Sequence, residues 1–523
     1  MFIIYGYYFS GEGFPMRLAG YFQDRMVLQR NKENHIWGWD DSESVTVIIE
    51  GEKYTGKCVD GQFNIVTKPM DTRVGIDITV EGSERIILHD CCIGDVFMLA
   101  GQSNMELPVS RTLDLSADLV SQADYPYLRQ YRLIPDNDYK PMDEYKLSTD
   151  PWIAAVQGEI GEMSALGFFT FRHIYEKTGV PIGLILNAQG GSTIEAWMRR
   201  EDLEDISDEL GLIEENWGEG YLPAKVAAQY EEGERWKDKN RIFDAAEYAS
   251  GIPSDAKEVQ IPGMFRDLTG CSWFYKEFTL TEDVKSSDAF LYLGELVDTD
   301  VTYINGVEVG NTGYLYPPRK YPFKSSVLHK GKNLIAVRLI TERNCGGFVP
   351  EHRYYIEVDG RRIDLRGAWK TIRESTSEEN KSVRMMVMYP TVLYNGAINT
   401  LKGLSVKAFF WYQGESNCFG AETYNEKFIR MVMSWREIFG FDVPVVATIM
   451  PDYINPESED VSFVPPEWKN MQHLQSQASS LVPGCYLVDG SDLGEPYELH
   501  PQRKVELGDR AAIVFSEVLG LNG

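Results

Sequence analysis

Two serines lie in turns whose residue types suit nucleophilic chemistry. Ser103 lies in the turn GQSN (101–104) and Ser416 in the turn QGESN (413–417), and each turn directly follows an apolar segment. A serine hydroxyl is a weak nucleophile at neutral pH and needs a neighbouring base. The structural alternative is that each hydroxyl only caps the start of a helix. The spacing by itself does not choose between the two serines.

Histidine is the usual base for a serine nucleophile, and the positions of the seven histidines narrow the choice. His500 alone follows the last predicted strand, at the start of a predicted helix and close to several carboxylates. The other six lie in or beside predicted β-sandwiches or inside predicted helices (His35, His89, His173, His329, His352 and His473). A polar first-turn residue is the alternative role for His500. We predict that His500 is the base.

A carboxylate usually orients the imidazole of such a base and stabilises the imidazolium that forms. Asp492, Glu495 and Glu498 precede His500 in the same segment, and Glu415 lies at the end of another predicted strand. Each of them could equally be a solvated loop charge. The residues alone leave all four open.

Donors for a developing oxyanion are expected at two further turns. Gly190 and Gly191 follow the apolar segment LILNA, and glycine lets a backbone N–H approach a ligand closely. The amide of Gln413 is a second candidate donor. A tight turn without catalytic function is the alternative for the two glycines.

Metal and nucleotide motifs are absent from the sequence. The chain has no HExxH, no Walker loop and no G-x-G-x-x-G after a predicted strand, and its seven cysteines form no CxxC pair. An odd number of scattered cysteines indicates reduced thiols. We therefore predict chemistry without a cofactor or a metal.

Two kinds of segment position these residues. Alternating hydrophobic patterns predict β-sandwiches near the amino terminus and again between about 264 and 375, where Asn305-Gly306 predicts a type I′ hairpin turn. Continuous apolar strands alternate with a predicted helix over 164–179 and predict buried parallel strands. These patterns predict four parts in chain order, which are an N-terminal β-sandwich (1–92), a first α/β part (93–200), an acidic connector with an inserted β-sandwich (201–375) and a second α/β part (376–523).

Composition excludes several classes of function. The 523 residues carry a formal net charge of −28, which repels nucleic-acid backbones and anionic membranes. No apolar run is long enough to predict a transmembrane helix. The first twenty residues lack a basic region before their apolar run, so they are a poor signal peptide, and we expect a cytoplasmic protein.

Motifs along most of the chain resemble the sialate O-acetylesterase family of carbohydrate esterases, within the SGNH hydrolase superfamily. GQSNM and WYQGES are the most distinctive of them. The matching segments are MVLQR and WGW (26–39), GQSNMEL (101–107), GGSTIEAWM (190–198), WFYKEF (273–278), INGVEVG (304–310), TVLYNGAI (391–398), WYQGESN (411–417) and LHPQRKVELGDRAA (499–512).

The resemblance implies a fold and an activity. The fold would be a three-layer SGNH domain around a flavodoxin-like parallel sheet, with an inserted galactose-binding-like sandwich. The activity would be removal of O-acetyl groups from sugars through an acetyl-enzyme, with an O-acetylated carbohydrate as the substrate, while the oligomeric state stays open. The sequence does not specify which acetylated sugar is the natural substrate.

The resemblance also assigns roles to individual residues. It implies Ser103 as nucleophile, His500 as base, and an oxyanion hole formed by Ser103, Gly191 and Gln413. The usual acid of the superfamily lies three residues before the histidine, where this chain has Tyr497. Asp492 and Glu415 are therefore the first choices for the acid, followed by Glu498.

Two other functions compete with an esterase. A glycoside hydrolase could use Glu415, Asp492 and Glu498 as paired carboxylates. A non-catalytic protein could bind sugars by stacking them on Trp273, Tyr314 and Tyr316.

Overall fold

The computed structural model describes residues 15–135, 151–206, 210, 220–455, 458 and 462–521. Two regions interpreted from the sequence lie wholly or partly outside these residues. They are the amino-terminal segment 1–14 and, within the acidic connector, 207–209 and 211–219.

A predominantly parallel sheet of seven strands carries the polar turns. Its spatial order is β3-β2-β4-β1-β5-β6-β7, and only the edge strand β3 runs antiparallel to its neighbour. In chain order the strands are β1 (Arg85–Gly101), β2 (Asp124–Arg132), β3 (Ile153–Val156), β4 (Ile182–Ala188), β5 (Ala408–Tyr412), β6 (Val445–Ile449) and β7 (Cys485–Asp489).

Aromatic side chains attach helices to both faces of this sheet. Phe97 of β1 and Phe410 of β5 contact Phe515 of the last helix, with ring centroids 5.6 and 5.1 Å away. On the opposite face, Trp411 of β5 lies 5.7 Å from Trp435. Every residue of β4, β5 and β6 is buried, as strands covered on both faces require.

The helices connect and cover the strands. The described α-helices, in chain order, are α1 (Ser103–Glu106), α2 (Leu113–Ser121), α3 (Ala165–Thr178), α4 (Tyr221–Asn240), α5 (Ala245–Ser250), α6 (Tyr424–Phe439), α7 (Pro466–Ser476), α8 (Ala478–Leu481) and α9 (Lys504–Val518). Among the described residues no helix is both long and apolar enough to span a bilayer.

The amino-terminal β region shares a strand with the central sheet. β1 pairs with Arg73–Glu81 and Val27–Gln29 through its first half and with β4 and β5 through its second half. The predicted boundary between residues 92 and 93 therefore falls inside one continuous strand. The other strands of this region are Arg17–Leu18, Asn34–Trp39, Ser44–Ile49, Glu52–Lys57 and Gln62–Thr67.

A second β region, which we call the β insert (residues 257–376), interrupts the α/β chain. Its largest sheet has six strands in the order Lys257–Ile261, Gly367–Thr376, Gly270–Leu280, Gly331–Thr341, Thr299–Ile304 and Val307–Thr312. A four-stranded sheet is formed by Lys320–Lys324, Asp288–Leu293, Tyr354–Val358 and Arg361–Asp364, and a three-stranded one by Gly263–Phe265, Gly346–Phe348 and Leu296–Val297. Apolar side chains from these sheets form one common core. The predicted mixed α/β class is confirmed.

Candidate active site

Ser103 lies where β1 ends and α1 begins. Gly101 is the last residue of the strand, and its φ of 130° is a conformation that favours glycine. A Cβ atom at this position would lie 2.1 Å from the carbonyl oxygen of Tyr412. Only glycine fits there, and the chain can then turn so that Ser103 opens the helix at the carboxyl edge of the sheet.

His500 faces Ser103 from a segment almost four hundred residues away in the chain. Its Nε2 lies 2.8 Å from the Ser103 hydroxyl oxygen. Burial, with added repulsion from Lys504 and Arg111, lowers the pKa of His500 to about 3. The imidazole is therefore neutral at physiological pH, as a base requires. The ring of Tyr316, from the β insert, stands edge-on to the imidazole at 5.4 Å.

The three candidate carboxylates that precede His500 in the chain have different surroundings. Asp492 has a side chain that is 63% exposed and binds Arg510 at 2.6 and 2.8 Å, which lowers its pKa to about 2. Glu495 accepts the backbone N–H of Gln502. Glu498 is buried and accepts the backbone N–H of His500 at 2.8 Å.

None of the described carboxylates lies within ion-pair distance of a ring nitrogen of His500. The sequence-based choice of Asp492 as the acid is therefore not supported, because its partner is Arg510 at the surface. The site is a serine-histidine pair in which a carboxylate, that of Glu498, binds the backbone N–H of the histidine and not its ring.

Glu415 is connected to this pair through Asn104. Its Oε1 accepts a hydrogen bond from Asn104 Nδ2 at 2.6 Å, and the same nitrogen donates to the carbonyl of Leu499. Lys504 donates to Asn104 Oδ1 at 2.8 Å. Asn104 follows the serine and Leu499 precedes the histidine, so this network connects the two turns that carry them. Burial raises the pKa of Glu415.

Two backbone N–H groups are available for an oxyanion. Neither the Ser103 nor the Gly191 N–H has an acceptor among the described residues. The Gly190 N–H is used, because it donates to Glu106 Oε2 at 2.7 Å. A Cβ at Gly190 would come within 3.5 Å of the Ser103 Cβ, so this turn lies directly against the serine.

Gln413 does not offer a free donor. Its amide nitrogen donates to the Ser192 carbonyl at 3.1 Å and to Asn417 Oδ1 at 2.7 Å, which uses both hydrogens. The side chain is fully buried. The expectation that Gln413 completes the oxyanion hole is therefore not supported, and its amide instead holds the turns after β4 and β5 together.

Sequence reasoning missed several residues that shape the site. Asn104 and Lys504 lie inside two of the matched segments but receive no role from them, and Tyr316 is suggested only for sugar stacking. The position of Asn104 directly after the serine is the one signal that could have drawn attention to it. Gln102 was also missed: its Oε1 accepts the backbone N–H groups of Gly414 and Ser416. This contact connects the turn that contains Ser416 to the residue directly before Ser103.

One expected sugar-stacking residue is not available. Trp273 is completely buried in the β insert, and its indole N–H donates to Glu374. This side chain packs in a small separate cluster with Ala249 and Tyr248, on the face of the strand opposite Phe274, and that packing could not be predicted from composition. Tyr314 is 58% exposed.

Comparison with known proteins places this site in a family. Residues 93–210 and 379–517 match the family model described as "SASA: Carbohydrate esterase, sialic acid-specific acetylesterase". These segments contain Ser103, Gly191 and His500. The match covers the two α/β parts of the chain, on either side of the β insert.

Curated relatives of this esterase family align over part of the chain. Sialate O-acetylesterase from Mus musculus is 28% identical over 214 residues, which cover 37% of this chain and 39% of the mouse protein. The protein of the same name from Homo sapiens is also 28% identical over 214 residues and is covered to 40%. The chain thus spans about two fifths of the length of the curated relatives it matches.

A solved structure is similar over nearly the whole chain. A carbohydrate acetylesterase from Xanthomonas citri superposes with a TM-score of 0.58 at 19% identity. The superposition covers 96% of this chain and 75% of the other protein. At this identity the similarity describes the fold alone.

Proposed function

We propose that this protein is a serine esterase that removes O-acetyl groups from sugars through an acetyl-enzyme intermediate. The observation that carries the proposal is the 2.8 Å contact between Ser103 Oγ and His500 Nε2, beside two backbone N–H groups without acceptors. The match to the carbohydrate esterase family model supports acetylated sugars as the substrate class.

The proposed reaction has two steps. His500 removes the Ser103 hydroxyl proton as Oγ attacks the acetyl carbonyl carbon, and the Ser103 and Gly191 N–H groups stabilise the oxyanion. The imidazolium then protonates the departing sugar oxygen, which leaves acetyl-Ser103. Water, deprotonated by the same imidazole, attacks the acetyl group, and acetate leaves as Ser103 regains its proton.

No direct acid partner for the base is part of this proposal. The His500 backbone is held by Glu498, and the carbonyl before it accepts from Asn104, which Glu415 orients. We propose that these three residues position the imidazole and do not exchange protons with it.

The finer fold assignment is also proposed. A predominantly parallel sheet with sites at its carboxyl edge supports an SGNH hydrolase domain of three layers. The common core of the β insert supports an inserted sandwich of the galactose-binding-like type. The four predicted domain ranges and the cytoplasmic location stay predictions.

The test is acetate release from a panel of O-acetylated sugars, including sialic acids and acetylated xylan, by the full chain and by its Ser103→Ala and His500→Ala variants. We expect hydrolysis of at least one sugar ester and a loss of about a thousandfold or more in either variant. Normal hydrolysis by Ser103→Ala would refute the assignment. Release of reducing ends, or saturable sugar binding without acetate, would favour the competing functions.

A further inference from the structure

Three side chains close to the site take no direct part in the proposed reaction. They are Glu295, His352 and Glu498. One candidate ligand atom from each lies within 4.8 Å of the others. Glu295 and His352 come from the β insert, whereas Glu498 belongs to the segment that leads to His500. The cluster therefore joins two parts of the chain that are distant in sequence.

Burial makes this cluster unusual. The side chains of Glu295 and Glu498 belong to residues that are only 2% and 4% exposed. Glu295 Oε1 and His352 Nε2 are both buried and have no hydrogen-bond partner. Buried polar atoms are normally satisfied, because an unmade hydrogen bond costs about 1–3 kcal/mol. Two such atoms in one cluster indicate a missing partner that binds both an oxygen and an imidazole nitrogen.

The two carboxylates of the cluster make no ion pair among the described residues. Arg111 and Lys504 are charged neighbours of Glu498 without an ion pair to it. Arg319 is bound to Asp300 and to backbone carbonyls. A carboxylate oxygen and an imidazole nitrogen both bind cations, so one cation would serve both unpartnered atoms. The missing partner should therefore be a cation.

We propose that Glu295, His352 and Glu498 bind one divalent transition-metal ion, with Zn²⁺ as the best match. Two carboxylates and one imidazole form a donor set that Zn²⁺ uses, at metal-ligand distances of about 2.0–2.2 Å. Two carboxylates also balance the charge of one divalent ion. Ligands at those distances lie about 3.3 Å apart in a tetrahedral site, so the side chains need only a small closure from their present spacing.

The position of the ion suggests what it would do. Glu498 Oε1 accepts the backbone N–H of His500, so an ion held by Glu498 would fix the segment that carries the base. The same ion would link this segment to the β insert. We infer a positioning site rather than a reacting metal, and the inference stands whether or not the proposed esterase activity is found.

The experiment is direct metal binding to the full chain after treatment with a chelator. The protein is titrated separately with Zn²⁺, Mn²⁺ and Mg²⁺, and the bound metal is counted by elemental analysis after desalting. We expect one equivalent of Zn²⁺ in the wild type and at least about tenfold weaker binding in Glu295→Gln and His352→Gln. Bound Zn²⁺ should raise the melting temperature of the wild type and not of these variants.

Controls and spectroscopy separate this site from adventitious binding. Glu282→Gln and His329→Gln change exposed side chains of the same insert and should bind as the wild type does. Zinc X-ray absorption should show only oxygen and nitrogen neighbours, because the seven cysteines are not ligands. Sulfur neighbours, binding that the two cluster variants leave unchanged, or no binding of any of the three ions would each overturn the proposal. Near-UV circular dichroism checks that the variants are folded.

Discussion

Ser103 and Ser416 occupy turns of the same G-x-S-N type, and their difference lies in what faces each side chain. Ser103 faces His500, whereas the backbone N–H of Ser416 donates to Gln102 behind the site. Residue types and spacing predicted both serines as candidates, together with His500. They could not rank the serines, because the partner of each is set by packing between segments that are distant in the chain.

The contrast between these serines gives a test. Ser416→Ala should retain at least about half of the wild-type kcat/KM for acetyl ester hydrolysis, because its hydroxyl has no hydrogen bond to His500 in the part of the chain that the structure describes. Ser103→Ala should lose about three to six orders of magnitude in kcat, since the nucleophile itself is removed. Steady-state acetate release measures both. Equal losses in the two variants would contradict the assignment of Ser103.

A second prediction concerns the acid that the sequence suggested. Asp492→Asn should change kcat/KM less than about threefold and stability by less than about 1 kcal/mol, because the Asp492 side chain forms an exposed ion pair with Arg510. The measurement is esterase kinetics together with chemical denaturation. A hundredfold loss in kcat would show that Asp492 reaches His500 in the working enzyme.

Glu415 allows a sharper distinction between charge and hydrogen bonding. Glu415→Gln keeps an oxygen that can accept from Asn104 and should retain activity within about tenfold. Glu415→Leu removes the acceptor and should lower kcat about tenfold to a hundredfold through the misplaced His500 segment, with little change in KM. If the Gln variant is as impaired as the Leu variant, the charge of Glu415 is required.

At the scale of elements, short sequence signals predicted the ends of a helix and the type of a turn. The helix α3 was predicted over 164–179 and spans Ala165–Thr178, with the Ser164 side chain accepting from the Gly167 N–H and Gly179 at a φ of 65°. The Asn305-Gly306 turn has positive φ at both residues, as a type I′ turn requires. Both features depend on a few neighbouring residues.

Long-range features of the elements could not be predicted in the same way. The strand β1 continues through residue 92 although its pairing partners change close to that residue, so the change in hydrophobic pattern marks new neighbours and not the end of the strand. The contact of Tyr316 with His500 depends on how the β insert packs. Nothing in the spacing of either residue encodes that packing.

The cap of α3 can be tested by Ser164→Ala. The hydroxyl of this buried serine accepts from Gly167 and donates to the Met105 carbonyl at 2.7 Å, so its removal should cost about 1–3 kcal/mol of unfolding free energy. Ser121→Ala, at an exposed helix end, is the control and should change little. Chemical denaturation followed by far-UV circular dichroism gives both values. A Ser164 variant as stable as the control would contradict the bonding shown here.

Asp298 of the β insert predicts a pH dependence of stability. Burial raises its pKa to about 6 in the folded protein, against about 3.9 in an unfolded chain. The carboxyl group of Asp298 therefore binds its proton more tightly in the folded state. The stability that this proton contributes is fully present below about pH 4 and is lost as the pH rises through about 6.

The variant Asp298→Asn should remove this loss, since its amide oxygen can still accept the Glu342 N–H. We expect the variant to gain stability relative to the wild type by about 1–3 kcal/mol between pH 4.5 and pH 7.5. Denaturation at these two pH values provides the measurement. A difference between the two proteins that does not change with pH would refute the raised pKa.

At the scale of the whole molecule, the net charge of −28 acts on the approach of the substrate. Sialic acids carry a carboxylate, so a chain of this charge should repel them at low ionic strength, where the Debye length is about 30 Å at about 10 mM salt. Screening shortens this length to about 8 Å at about 150 mM.

We therefore expect kcat/KM for an O-acetylated sialic acid to rise about twofold or more over this salt range. The value for a neutral acetylated sugar should stay nearly constant and serves as the control. A fall with salt for the sialic acid would indicate that a local positive field at the site outweighs the net charge.

The continuous strand from Arg85 to Gly101 has a consequence for dividing this protein into parts. The backbone that ends at the reactive turn begins in the amino-terminal β region, and its first half pairs with strands of that region. A shortened protein that starts at residue 93 would cut this strand and uncover buried aromatic side chains such as Tyr131 and Trp152, which pack against Tyr21. Such a fragment should aggregate, so the two regions must be expressed as one piece.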